Sequence, residues 1–444
     1  MDGAKAAVAG AVPRPLLSAF DGVMLVIGMV VGAGIFKTPS IVAANVSSGM
    51  EFALVWIAGG VASLCGALVY AELSGRFPET GGEYRFLERA YGRGASFVFA
   101  WSRMTVVQTG AIAAVAFVFG DYAQQILPLG SKGAALYAAL SVVALTALNL
   151  AGTTQGKNAQ KVLSAALVIA LAAIALAGLS SGAAPPSPAE PGPSNLGLAM
   201  IFVLLTYGGW NEAAYIAGEV RDPRRNMLRI LVAGILAITV LYLVVNLAYF
   251  RALGLGGLRD SQAVAADVLR LAAGEGGAKA IAFIVCVAAL TTMNAAILTG
   301  ARTNYAFGRD EPLFGFLGRW REAGSTPANA LVAQAALTLA LVLAASFTPD
   351  GFTSMVAYTT PVFWTFFLGC GVALIVFRAR EGRAAAFNVP LYPLVPLVFC
   401  ATCAYMLYSS VNYVRFAVSF GSAVLAGIAV MALGIPLYFL ARRR

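Results

Sequence analysis

Apolar residues along this chain gather in long runs separated by short stretches rich in arginine, glycine or proline. Twelve such runs occur, at residues 16–46, 52–75, 95–122, 133–150, 159–179, 196–218, 228–250, 278–305, 328–347, 352–378, 392–412 and 418–440. Each is long enough as a helix to cross about 30 Å of hydrocarbon. The pattern predicts an all-α membrane protein with twelve transmembrane helices. A short tail, residues 1–15, precedes the first run. A proline-rich loop at 180–195 separates the fifth from the sixth.

Two runs are interrupted. The first reads GMVVGAGIFKTP at 28–39, placing Gly32, Ala33 and Gly34 where a continuous helix needs strong helix formers. Glycine costs about 1 kcal/mol relative to alanine in a helix interior. In lipid, unpaired backbone groups are tolerated only where they face protein or a water-filled cavity. A broken helix here therefore lines a cavity. The alternative is close helix packing, since Gly28 and Gly32 have small-xxx-small spacing. The sixth run, LTYGGWNEAAYIAGEVRDP from Leu205, is interrupted at Gly208 and Gly209. With five spans before it, it runs opposite to the first. Paired interruptions in oppositely oriented halves point to an inverted-repeat transporter and to its binding site. The reading is five plus five: spans one to five (16–179) and six to ten (196–378) form the repeats. Helices one and six are broken, and 379–444 holds two additional helices and the C-terminus.

Composition agrees. The chain is 60% hydrophobic with mean hydropathy +0.81, and 11% charged, against about a quarter in soluble domains. The net charge of +10 does not indicate nucleic acid, because 22 of the 30 Lys and Arg fall in alternate loops and tails on one side. That bias places both termini in the cytoplasm, and the expected location is a plasma or inner membrane. The loop at 76–93 mixes apolar and charged residues around Tyr84, Phe86, Leu87 and Tyr91, as an interfacial helix does. A second surface helix is expected at 261–272, with Val264, Val268 and Leu271 on one face. Asp21, Glu72 and Glu219 lie near span ends, within reach of water. No histidine is present, the five cysteines all lie in apolar runs, and no nucleotide fingerprint occurs. No enzyme activity, metal or cofactor is therefore expected.

Five blocks in order carry a resemblance that covers nearly the whole chain. They are GMVVGAGIFKTP at 28–39, FPETGGEYRFLERAYG at 77–92, NLAGTTQGKNAQ at 149–160, TYGGWNEAAYIAGEVRDPRRNM at 206–227 and ALTTMNAAILTGARTNYAFGRD at 289–310. The chain resembles the amino acid–polyamine–organocation superfamily, and within it the L-type amino acid transporter branch. The resemblance implies amino acid transport, usually by exchange, through the five-plus-five fold. It departs at two places. Eukaryotic members of the branch carry a gating Phe where this chain has Leu205, with Phe202 nearby. Several members carry a Lys at the start of the fifth span where this chain has Thr154, with Lys157 one turn later.

An amino acid zwitterion needs donors for its carboxylate and acceptors for its ammonium. A half-helix starting near Gly34 offers free N–H groups and a positive dipole end, so the carboxylate is expected at the backbone of Gly32, Ala33, Gly34 and Ile35. The carbonyls near Ile27 and Val31, and those of Leu205 and Thr206, are candidates for the ammonium. Ile35, Phe202, Leu205, Tyr207 and Trp210, beside Gly208, are expected to form the side-chain pocket; Trp210 has an alternative reading as plain packing. No charged group lies in either break, which favours a neutral side chain. Thr154, Lys157, Thr291, Thr292 and Asn294 are candidate ion-site or coupling residues, and Arg103 and Glu212 are a candidate pair. The expected partners are a neutral L-amino acid and the lipid bilayer, with no nucleic acid and no obligatory protein partner. A proton- or sodium-coupled importer, a cationic amino acid or polyamine transporter and a non-transporting sensor are the alternatives. Gly34→Leu is expected to abolish binding, with Gly120→Leu milder.

Overall fold

The computed structural model describes residues 18–77, 82–151, 157–180, 194–321, 326–383, 387–416 and 418–442. In order the helices are α1 (Ala19–Val30), α2 (Gly34–Ala44), α3 (Gly49–Arg76), α4 (Gly82–Tyr91) and α5 (Arg93–Ser102). A π-helical stretch, Arg103–Val107, joins α5 to α6 (Gln108–Ile126). Then come α7 (Gly133–Leu150), α8 (Lys157–Ser180) and α9 (Leu196–Thr206), followed by a 3-10 stretch, Trp210–Glu219. The rest are α10 (Pro223–Asp260), α11 (Val264–Asp310), α12 (Ala328–Ala345), α13 (Gly351–Glu381), α14 (Leu394–Phe416) and α15 (Val418–Ala441). No strand is present among the described residues; one isolated bridge joins Arg321 and Thr326. Among the described residues nine helices, with α5 through α6 counted as one, are long and apolar enough to cross a membrane, or ten when α1 and α2 are taken as one bent span. The other two predicted runs contribute α8 and α9, whose described apolar parts, Leu167–Ser180 and Leu196–Thr206, are shorter.

Local chemistry sets the boundaries. A capping box starts α1: the Ser18 hydroxyl accepts from the Asp21 N–H, and the Asp21 carboxylate accepts from the Ser18 backbone. Ser48 and Asp350 cap α3 and α13 in the same N-terminal manner. Positive φ at Gly254 (66°) and Gly274 (65°) breaks the helical runs of α10 and α11. These kinks set off a short helix, close to the one expected at 261–272. Its buried residues are Val264, Ala265, Ala266 and Val268, whereas Leu271 is exposed. The expected apolar face is therefore rotated: Val264 and Val268 stay on it, and Leu271 projects away. The loop helix α4 buries Phe86 and Leu87 and leaves Tyr91 exposed. All five cysteines are free.

Charged residues tie the helices together at both ends of the bundle. At the arginine-rich end, Glu72 on α3 is fully buried. It accepts from Arg378 of α13 at 2.6 and 2.7 Å, from Arg76 at 3.2 Å and from the Val389 N–H at 2.7 Å. This corrects the expectation that Glu72 reaches water: two arginines and an amide replace its hydration, as a buried carboxylate requires. Asp21 is spent in the α1 cap, and the side chain of Glu219 lies outside the described residues. At the opposite end, Lys37 of α2 is buried between Asp121 of α6 (2.9 Å) and Asp350 of α13 (3.4 Å). Arg259 of α10 donates there to the Ala43 and Val46 carbonyls at 3.0 and 2.7 Å.

Candidate functional site

The two glycine interruptions are breaks, and they touch. α1 and α2 meet at 52° across Val31–Ala33. Val31 ends α1 with ψ of 87°, which turns its carbonyl out of the helical ladder, while its N–H still reaches the Ile27 carbonyl at 2.8 Å. No side chain caps the start of α2, and a helix's first N–H groups have no partner within the helix. The second break lies at Tyr207–Gly209, between α9 and the 3-10 stretch. Gly209 holds φ of 105°, which a residue with a side chain rarely adopts. A Cβ there would stand 2.7 Å from the Met29 carbonyl oxygen, and one at Gly34 would stand 3.5 Å from Thr206. Glycine thus brings each break against the other's backbone.

Hydrogen bonds fix this contact. The hydroxyls of Thr38 and Thr206 lie 2.6 Å apart, within reach of the Gly34 and Phe202 carbonyls at 3.0 and 2.8 Å. The Tyr242 hydroxyl of α10 is buried 3.0 Å from the Val30 carbonyl and 3.1 Å from that of Thr206. One phenol proton therefore serves the end of α1 and the end of α9 together. Sequence reasoning missed Tyr242. The available signal was a single hydroxyl in the apolar run LYLVV, where an unpartnered polar group is costly. Tyr242→Phe is expected to leave a folded protein destabilised by about 1 kcal/mol, read as a lowered melting temperature in detergent.

The predicted residues divide. Gly32, Ala33, Gly34 and Ile35 lie at the first break, with Thr206 against Gly34 and Thr292 of α11 facing Gly32. Of the four candidate carbonyl regions, Ile27 accepts from Val31, Leu205 from the Gly208 N–H at 3.0 Å and Thr206 from Tyr242. Each retains a second lone pair. The five pocket side chains have different neighbours. Leu205 is exposed. Tyr207 donates to the Trp56 carbonyl at 3.2 Å and packs edge-on to Tyr242. Trp210 lies against Tyr70 and Phe367, over Gly66, the packing role weighed above. Phe202 faces Phe352. Ile35 and Phe36 are fully buried; Phe36 packs edge-on to Tyr122. Tyr358 donates to the Thr105 carbonyl at 3.1 Å.

The candidate ion residues divide too. Thr291 and Thr292 donate to the Val287 and Ala288 carbonyls of their own helix. Asn294 instead faces α7, where its side-chain oxygen accepts from Asn149 at 2.8 Å. Residues two apart on a helix do not share a face, so Thr292 and Asn294 serve different neighbours. Thr154 lies outside the described residues. Lys157 begins α8, and its side chain lies outside them as well.

Arg103 and Glu212 do pair, at 3.1 and 3.2 Å. The π-helical turn carries Arg103, and the 3-10 stretch after the second break carries Glu212. Glu83 of α4 extends this network: it lies 3.8 Å from Arg103 and accepts from Tyr70 at 3.1 Å and from Asn211 at 2.9 Å. The second broken segment is thereby bound to α3, α4 and the α5–α6 junction.

Comparison with known proteins gives a consistent picture. The amino acid permease family matches residues 17–435. The serine/threonine exchanger SteT of Bacillus subtilis (strain 168) is 27% identical over 433 residues, 95% of each chain. The b(0,+)-type amino acid transporter 1 of Mus musculus is 28% identical over 389 residues, 84% of this chain and 78% of that one. The large neutral amino acids transporter small subunit 2 of Homo sapiens is 28% identical over 438 residues, 94% of this chain and 78% of that one.

Proposed function

The chain belongs to the amino acid permease family, and from that premise we propose that it exchanges neutral L-amino acids across the membrane by alternating access, without sodium. Its relatives are transporters, not enzymes, so the two breaks are read as a binding site. The observation that carries the proposal is the uncapped start of α2 set against the broken end of α9. The substrate carboxylate takes the N–H groups of Gly32 to Ile35, where the helix dipole favours an anion. The three N–H donors of the ammonium are shared among the Val31 carbonyl and the second lone pairs of Ile27, Leu205 and Thr206. No acidic side chain lies in either break, and Glu212, just beyond the second, is held by Arg103. A cationic side chain thus has no free counter-charge there, which favours a neutral one.

The proposed architecture has twelve spans in five-plus-five order, with residues 16–179 and 196–378 as the repeats and both termini in the cytoplasm. Its ion pairs have a place in alternating access. Lys37–Asp121–Asp350 joins α2 to α6 and α13 at the outer end, and Arg103–Glu212 holds the second break at the inner end. One relative is named a small subunit; the proposal for this chain is that it transports alone.

The test uses the purified chain in liposomes. Labelled neutral amino acid should enter vesicles preloaded with unlabelled amino acid and not empty ones. Replacing sodium by choline should leave exchange unchanged. Sodium-driven entry into empty vesicles would establish coupled import instead. Binding without entry would establish a sensor, and arginine or glutamate outcompeting every neutral amino acid would exclude the proposed substrate class.

A further inference from the structure

A concavity lies away from the breaks, on the exterior of the bundle near its arginine-rich end. It is a cleft of about 460 Å³ between α4, α5, α13 and α15, walled by Leu87, Val98, Phe366, Gly369, Tyr438 and Phe439 among others. Tyr91, also on the wall, donates its hydroxyl to the Gly369 carbonyl at 2.7 Å. Partial burial pushes this phenol up to about 12, so it stays a neutral donor. With that hydroxyl satisfied within the protein, the cleft presents hydrocarbon. The walls of α5, α13 and α15 belong to membrane-spanning helices, so the apolar matter that meets them is lipid.

The rim is cationic. Arg93 is exposed where α5 begins and adjoins Gly94 on the wall. Arg442 is exposed beyond α15, its guanidinium 5.7 Å from the centre of the Tyr438 ring. Glu311 faces Arg93 and offsets part of its charge. Arginines flanking an apolar intramembrane cleft complement a phosphate head attached to a chain.

We infer that this cleft seats an acyl chain of an anionic phospholipid from the adjacent leaflet, with Arg93 and Arg442 holding the head group. Assigning that leaflet to the cytoplasmic side rests on the orientation proposed above; the binding chemistry does not.

Native mass spectrometry of the purified full chain tests the site without any transport measurement, so its failure is distinct from failure of the exchange reading. Phosphatidylglycerol and phosphatidylcholine with identical acyl chains are the probes. Wild type should retain phosphatidylglycerol about tenfold better. Arg93→Ala with Arg442→Ala should lower phosphatidylglycerol to the phosphatidylcholine level. Both arginines are exposed, so their removal should leave the bundle folded, with the Arg442 contact to Tyr438 lost. Val98→Trp should fill the cleft and reduce retention of both lipids. Excess glycerophosphate should not displace phosphatidylglycerol, because the chain contributes to holding it. Equal retention of the two lipids by wild type, unchanged retention in Val98→Trp, or displacement by glycerophosphate would overturn the assignment.

Discussion

Gly34→Leu should abolish amino acid binding and still yield a membrane-inserted, monodisperse protein. Gly34 opens α2, whose start lacks a side-chain cap. A hydrogen bond from such an N–H to a carboxylate contributes roughly 1.5–3 kcal/mol, or about 10- to 150-fold in affinity. The structure refines how the substitution acts. Gly34 does not hold a positive φ, and its Cβ position has ordinary contact with Thr206 at 3.5 Å. Alanine therefore fits, and Gly34→Ala should be much milder. Leucine extends beyond that contact, over the paired Thr38 and Thr206 hydroxyls and into the space assigned to the carboxylate. The control also changes. A Cβ at Gly120 would stand 2.2 Å from the Ala134 carbonyl oxygen, so Gly120→Leu is not the mild substitution expected from sequence. Gly276, exposed and with nothing within 4 Å of its Cβ position, is the proper control. Binding by purified mutants, with melting temperatures alongside, separates a lost site from a lost fold.

Glu72→Ala should be the most destabilising single substitution considered, with a loss of about 3–5 kcal/mol. Its carboxylate holds Arg76, Arg378 and the Val389 N–H inside the protein, and both arginine side chains are less than 10% exposed. Removing the carboxylate leaves the buried Arg378 guanidinium without its acid, beside Arg76, whose remaining acid is the more exposed Glu381. The mutant should melt far below wild type in detergent, or fail to give monodisperse protein. Glu72→Gln should recover little, since an amide keeps the shape without the charge. A melting temperature within a few degrees of wild type for Glu72→Ala would show that water or another acid replaces the carboxylate.

Much of this architecture was legible in the order of residues because membrane spans and glycine interruptions are local signals. The helix at Gly133–Leu150 has the predicted bounds, and both paired-glycine segments are broken. The pairing of Arg103 with Glu212 was anticipated from two intramembrane charges with a need for partners. Side-chain direction was not legible. Tyr207 and Trp210 follow one another closely beside the same glycines, yet the turn and 3-10 geometry send them to separate aromatic clusters around Trp56 and Tyr70. Likewise Leu205 sits one residue from the buried Thr206 but is itself exposed, since adjacent helical positions point in different directions. Glu72 looked solvated because it lies near a span end; its partners Arg378 and Val389 are over 300 residues away in sequence, beyond the reach of any local pattern. Tyr242 is similar: its importance lies in two carbonyls supplied by two distant breaks.

The central claim is that a substrate carboxylate completes the broken start of α2. Competition against uptake of a labelled neutral amino acid, using the unlabelled amino acid and its carboxamide, tests it most directly. The carboxamide keeps the side chain, the ammonium and nearly the same shape, and replaces one oxygen of the charged acceptor by a neutral NH2 donor. The account predicts that the carboxamide competes at least about tenfold less well, in wild type and under sodium-free conditions alike. Equal competition by the carboxamide and the free acid would contradict it, and would move the recognition of the substrate away from the Gly32–Ile35 backbone.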